Sequence, residues 1–200
     1  LGRWQPSDIC DGIQVGAFVV DDPRPLPGEL AAFLDAGPPP IYVGFGSMAM
    51  QTAPDAARAA ITAIRARGGR TVLARGVAGL SAVDDGTDCF VTGEVNQQKL
   101  FPRVAAIIHH GGAGTTFTAA QAGTAQLIVP QVADQFYWAA RVADLGIGVA
   151  HDGSVPSSAS LTAGLDNALE RSVIEKARAI AGRLRTDAAI AAARMLRALG

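Results

Sequence analysis

Two histidines lead into three glycines within four positions, His109-His110-Gly111-Gly112-Ala113-Gly114, and two threonines follow, Thr115-Thr116. These are residues suited to holding an anion. Glycine lets a ligand approach the main chain, and where such a turn opens a helix the first N–H groups point outward beside the positive end of the helix dipole. The threonine hydroxyls can donate as well, and a histidine at the end of a buried strand can reach the same oxyanion. A tight strand-to-helix turn whose glycines only permit close packing uses the same residues, and a strand-end histidine often makes an ordinary structural hydrogen bond. Strand side chains alternate between faces, so at most one histidine of the pair serves the site.

Two common nucleotide sites do not fit. Neither Gly44-Phe45-Gly46-Ser47-Met48-Ala49 nor the His-His-Gly-Gly run has the full G-x-G-x-x-G spacing, and no acidic residue ends a second strand about 20 residues on. No Gly-Lys-Ser/Thr occurs, which removes a P-loop. Dehydrogenase and ATPase chemistry are therefore disfavoured.

The elements that must position this turn can be read from the spacing of apolar residues. Ile41–Phe45 reads as a buried strand, and Pro54–Arg67 as a helix with Ala57, Ala60, Ile61 and Ile64 on one face, stopped by Gly68-Gly69. Thr71–Ala74, a run around Phe90-Val91, Ala105–His110, Ala125–Pro130 and Ile147–Ala150 supply five further strands. Between them lie a short helical turn over Gln97–Phe101, a helix after the glycines closed by Gly123, and another from Asp134 to Leu145 with Gly146 at its end. Helices over Ser158–Leu169 and Ser172–Leu199 complete the chain. Wholly apolar strands alternating with helices predict an α/β, Rossmann-like three-layer domain on a mostly parallel six-stranded sheet. Ligands of such sheets bind beyond the carboxyl ends of the strands. The segments to inspect are then Gly46–Met48, Arg75-Gly76, Gly93–Val95, His109–Thr116 and Gln131–Gln135.

The bulk properties narrow the class. A chain of 200 residues with 49% hydrophobic content can bury a core as one domain. With net charge −1 and no basic run, a nucleic-acid partner is not expected. No apolar run is long enough to cross a bilayer and the N-terminus lacks signal organisation, so a cytoplasmic protein is expected. Cys10 and Cys89 are far apart without metal-like spacing and read as reduced, packed thiols. Residues 1–38, dense in Pro, Gly and Asp and without a strand or helix signal, read as an interdomain linker, and residues 39–200 as the domain proper. A partner domain upstream is expected.

With Pro39–Met48, Gly93–Thr116 and Ala125–Ala150 in this order, nearly the whole chain resembles the C-terminal donor-binding domain of the GT-B nucleotide-sugar glycosyltransferases. It is most like the bacterial branch that glycosylates glycopeptide antibiotics of the vancomycin and teicoplanin group. The resemblance implies that His110, with Gly111, Gly112, Ala113, Gly114 and Thr115, clasps the donor diphosphate, while His109 is a buried neighbour. It further implies a phosphate contact from Ser47, main-chain hydrogen bonds from Val95 to a uracil or thymine base with Asn96 beside it, and contacts from Asp134 and Gln135 to sugar hydroxyls. Structural roles compete at each position. Ser47 can cap a helix, Val95 can be a core valine, Asp134 stands where an N-cap is wanted, Trp138 can pack against the sheet or a domain interface, and Arg75 can be an exposed loop residue.

The activity implied is an inverting transfer from a UDP- or dTDP-sugar to a natural product, a glycopeptide aglycone by resemblance. The carboxylates of Asp21-Asp22 and of Asp84, Asp85 and Asp88 read as solvated turns, not metal ligands. Charge on the leaving diphosphate would rest on the helix N-terminus and His110, so neither metal nor cofactor is required. Asp134 is at most an assisting group, because in the family the base and the acceptor pocket belong to an N-terminal acceptor domain absent from these residues. The chain alone is expected to bind donor and transfer little. A nucleotide-sugar epimerase of the same fold and a non-catalytic nucleotide-binding module remain alternatives.

Overall fold

The computed structural model describes residues 1–2, 8, 12–45, 53–76 and 86–199. Six strands, β1 Ile41–Gly44, β2 Thr71–Ala74, β3 Cys89–Thr92, β4 Ala106–His109, β5 Ala125–Ile128 and β6 Gly148–Ala150, form one sheet in the order β3-β2-β1-β4-β5-β6. All five pairings are parallel, so each connection must cross over, and helices fill the β1–β2, β3–β4, β4–β5 and β5–β6 connections. The helices are α1 Gly28–Asp35, α2 Ala53–Ala66, α3 Gln97–Leu100, α4 Ala113–Ala122, α5 Gln135–Asp144, α6 Ser158–Ala168, α7 Arg171–Ala181 and α8 Ala188–Leu199. The fold is the α/β Rossmann-like one expected.

Although both faces of the sheet are covered, side-chain alternation still sorts the core into layers. Ile41 and Val43 of β1, Ala106 and Ile108 of β4 and Leu127 of β5 face α2 and α6, where Ala57, Ala60, Ile61, Ile64, Leu161 and Leu165 meet them. Tyr42, Val72 and Ile107 face the other way, onto Leu30 and Leu34 of α1, Phe101 just after α3, and Ala119 of α4. A third cluster, with Ile128, Ala139, Val142 and Ala177, seats α5 and α7.

Two expectations about elements are corrected. The supposed featureless lead-in contains α1, whose Leu30 and Leu34 lie one turn apart and are buried on the sheet. An eight-residue helix is unstable by itself and is held by that burial, a tertiary cause that proline-rich flanks conceal. The single helix read over Ser172–Leu199 is two helices, because α7 ends at Gly182 and a new N-terminus forms at Asp187, whose carbonyl accepts from Ala191 N–H. Smaller shifts have local reasons: Pro102 turns the end of α3 into a 3-10 turn over Phe101–Arg103.

The strand order fixes where the site lies. From β1 the chain moves outward to β2 and β3, and from β4 it moves the opposite way to β5 and β6. Beyond the carboxyl ends of these two central neighbours the connections diverge, leaving the crevice where ligands of such sheets bind. Gly44 pairs with His109 at that edge, so the histidine pair and the glycine turn stand at the crevice.

Candidate functional site

The glycine turn is built around one hydrogen bond. His109 is fully buried at the end of β4, and its Nδ1 accepts from Gly111 N–H at 3.1 Å. Gly111 adopts φ +93°, where a Cβ would meet Ile128 Cγ2 at 2.7 Å and the Gln135 carbonyl at 3.2 Å, so only glycine fits. The amide of Gly111 is thus directed inward, and its part in the site is to shape the turn. Next comes Gly112, the N-cap of α4. Among the described residues the N–H groups of Gly112, Ala113, Gly114 and Thr115 donate to nothing in the chain, while Thr116 N–H closes the first helical bond onto Gly112 O. Four adjacent donors therefore stand free at a helix N-terminus.

Not both threonines share this role. Thr116 is buried and its hydroxyl donates to the Gly112 carbonyl at 2.9 Å, which leaves Thr115 as the partly exposed hydroxyl at the turn. Gly114 has open space where a side chain would stand.

His110 takes the opposite face from His109. Its imidazole lies against Gly112, where an added Cβ would come within 2.7 Å of Nε2. Its Nδ1 is buried with no hydrogen-bond partner among the described residues. Burial pulls the His110 pKa down, while the Gly44 carbonyl and the Asp134 carboxylate pull it the other way. His109 differs: burial pushes its pKa down to about 3, and it stays neutral.

The β5–α5 loop closes the second side. Gln135 is buried, and its Oε1 accepts from the N–H groups of Gln131 and Val132 at 2.8 and 3.1 Å, which holds the loop. At this bend Ala133 has a positive φ, +53°, the one non-glycine residue to do so among the described residues. The competing structural role for Asp134 was an N-cap of α5. It does not fill that role: its backbone is already helical, its side chain makes no capping bond, and Oδ2 instead accepts from Trp138 Nε1 at 2.8 Å. Asp134 is exposed, held by Trp138 and close enough for its charge to act on His110.

At the β3–α3 loop, Val95 is partly buried against the core layer of α1 and α4, as its structural competitor required. Its main-chain N–H and C=O nonetheless make no hydrogen bond to another described residue. Asn96, 2% exposed, uses its whole side chain: Oδ1 accepts from Lys99 N–H to cap α3, while Nδ2 donates to the carbonyls of Asp22 and Arg24. Gln98 adds bonds to Val20 O and Asp22 N–H, and Arg24 forks onto Asp22 and reaches Glu94. The lead-in segment is thereby strapped to the rim of this loop.

Ser47, with Gly46 and Met48, lies outside the described residues, as do Cys10, Asp84 and Asp85. Asp88 is no solvated turn residue, because Arg65 holds it by two bonds of 2.6 and 2.7 Å. Asp22 is likewise engaged with Arg24, and Arg75 is exposed. Among the described residues no group of three or more His, Cys, Asp or Glu could hold a metal ion, and no helix is long and apolar enough to cross a membrane.

The sequence reading missed Gln126 and underrated Asn96 and His109. The signal for Gln126 was present, a glutamine inside an otherwise apolar strand; it is fully buried and faces His109 Nε2 at 2.9 Å.

Comparisons with known proteins bear on the family and the fold. The family model of the erythromycin biosynthesis protein CIII-like C-terminal domain matches residues 71–193. The vancomycin aglycone glucosyltransferase of Amycolatopsis orientalis is 58% identical over 98% of this chain and 47% of its own length. A dTDP-epi-vancosaminyltransferase of the same organism is 54% identical over 84% of this chain and 43% of its own. The chain thus spans about half the length of the curated relatives it matches. Among solved structures, the spinosyn rhamnosyltransferase SpnG superposes with TM-score 0.73 at 24% identity, over 96% of this chain and 53% of that one, a likeness of fold.

Proposed function

This chain belongs to the glycosyltransferase family defined by the erythromycin biosynthesis protein CIII-like C-terminal domain, and from that premise we propose that it binds the nucleotide-sugar donor of an inverting transferase. The four free amides from Gly112 to Thr115 at the switch-point crevice carry this reading. They form a fixed anion cradle at the positive end of α4, with His110 beside it. The diphosphate would lie there and the base against the main chain of Val95. The sugar would extend toward Asp134 and Gln135, with Gln135 Oε1 also holding the loop that presents them. Ser47 is proposed as a further phosphate contact.

In the reaction, an acceptor hydroxyl attacks the anomeric carbon and the nucleoside diphosphate leaves from the opposite face. Negative charge gathers on the diphosphate in the transition state, so preorganised donors there favour transfer over mere binding. No metal is needed for that stabilisation in this reading. The general base and the acceptor pocket belong to an N-terminal acceptor domain, with residues 1–38 as the lead-in and 39–200 as the donor domain. The names of the relatives include both a glucosyltransferase and a dTDP-sugar transferase, so UDP- and dTDP-sugars are both candidate donors and a glycopeptide aglycone the candidate acceptor.

Calorimetric titration of the chain with UDP, dTDP, UDP-glucose and NAD tests the donor site. Nucleoside diphosphates are expected to bind and NAD not to, with weaker binding in His110→Ala; NAD binding without diphosphate binding would end this reading. In a full-length enzyme the loss of one such donor raises the barrier by about 2.7–4 kcal/mol. Robust transfer by the 200-residue chain alone would refute the assignment of the base to another domain.

A further inference from the structure

His109 makes no outward contact, yet the turn is organised around it. Gly111 N–H is a donor with no alternative, so His109 Nδ1 must be the acceptor, and the imidazole proton must sit on Nε2. Nε2–H then donates to Gln126 Oε1 at 2.9 Å, which fixes the orientation of the Gln126 amide. The consequence appears on the other side of that amide: Gln126 Nε2 is buried with no hydrogen-bond partner among the described residues. Flipping Gln126 would set an N–H against the imidazole, so that two donors face each other either at Nε2 or, if the proton moves to Nδ1, at the Gly111 amide. A buried amide left half-satisfied is costly. A leucine at 126 would avoid that cost, so the arrangement is maintained for what Oε1 does to His109.

We propose that His109 is a positioning residue for the diphosphate cradle: locked by Gln126 as the Nε2–H tautomer, it captures Gly111 N–H and thereby turns the next four amides outward. The geometry links each step. Gly111 at φ +93° reverses the chain, its amide faces inward to His109, and Gly112 to Thr115 follow with their N–H groups free. If the capture is lost, Gly111 has no partner on the inside and the turn loses the bond that sets its direction. The inference rests on the donor-binding reading above and adds a residue to it that touches no ligand.

Two substitutions separate this role from core filling. In His109→Asn the side-chain Oδ1 takes the place of Nδ1 and can still accept from Gly111; in His109→Gln the amide reaches the place of Nε2, meeting Gln126 but leaving Gly111 without an acceptor. Calorimetry with UDP and dTDP is expected to find His109→Asn within about threefold of wild type and His109→Gln weaker by roughly tenfold or more, the equivalent of one hydrogen bond. Glutamine is nearer to histidine in volume, so a packing role predicts the reverse order. Nitrogen-15 NMR of the wild-type chain gives a readout independent of the variants' folding: His109 should hold Nε2–H with an unprotonated Nδ1 from pH 5 to 8. Protonated Nδ1 in the wild type, or equal impairment of the two variants, overturns the positioning role while wild-type diphosphate binding still upholds the donor site. No diphosphate binding by the wild type overturns the donor site and this proposal with it.

Discussion

The turn after β4 and the loop after β3 stand at the same edge of the sheet but are held by different means. Everything that fixes the diphosphate turn is local or one strand away: His109 two residues back, Gly111 itself, Thr116 at the first helical turn and Gln126 on the adjacent strand. The loop carrying Val95 is held from a distance, by Asn96, Gln98 and Lys99 bonding the main chain of Val20, Asp22, Pro23 and Arg24, more than 70 positions earlier in sequence. The first site is intrinsic to the sheet. The second depends on a strap that must be laid down from outside it.

The largest test of the comparison strikes the intrinsic turn. Gly111→Ala combines a left-handed backbone with a Cβ 2.7 Å from Ile128 Cγ2, and about 3 kcal/mol or more of stability should be lost in urea denaturation. Diphosphate binding should go with it. Removing the strap should cost less and act elsewhere: Asn96→Ala deletes a cap and two bonds to carbonyls, about 2 kcal/mol, and hydrogen exchange should rise around residues 20–25 while the glycine turn keeps its protection. Equal loosening of both regions would erase the distinction drawn here.

Acid separates them further. Burial depresses the His109 pKa from 6.5 to about 3, so below pH 6.5 the unfolded chain binds a proton that the folded chain refuses. Stability from this residue is therefore complete above pH 6.5 and is lost as pH falls toward 3, at up to about 1.4 kcal/mol per pH unit. Denaturation curves between pH 7 and 4 should follow that slope, and His109→Asn should flatten it. The His110 pKa, lowered in the free chain, should rise when a diphosphate arrives, so binding should take up protons and tighten as pH falls; titration in buffers of different ionisation enthalpy measures this. The smallest effect belongs to the β5–α5 loop: Ala133→Gly, at φ +53°, should stabilise by up to about 1 kcal/mol in thermal melts.

Local chemistry made the intrinsic turn legible before any fold was known. A glycine run after two histidines and before a helix already implied free amides, and the division of the pair into one buried and one facing residue followed from strand alternation. The roles of Thr116 and Gly111 did not, because which donor is consumed inside a turn depends on backbone angles. Asp134 looked like a cap by position, but a helical backbone at that residue removed the vacancy a cap fills, and Trp138 claimed the carboxylate. The strap was invisible for a plainer reason: a proline-rich segment gives no periodicity to read, and its bonds run between its own main chain and the side chains of Asn96, Gln98 and Lys99.

By itself the sequence determined the alternation of strand and helix, the parallel sheet that alternation demands, and the residues able to receive an anion, since those follow from side-chain size, period and hydrogen-bonding capacity along the chain. Tertiary structure alone decided the strand order that puts β1 beside β4, the folding of α1 onto the sheet, the pairing of Gln126 with His109 and the anchoring of the lead-in at Asn96. Those depend on which distant surfaces can be buried together, and no local spacing encodes that choice.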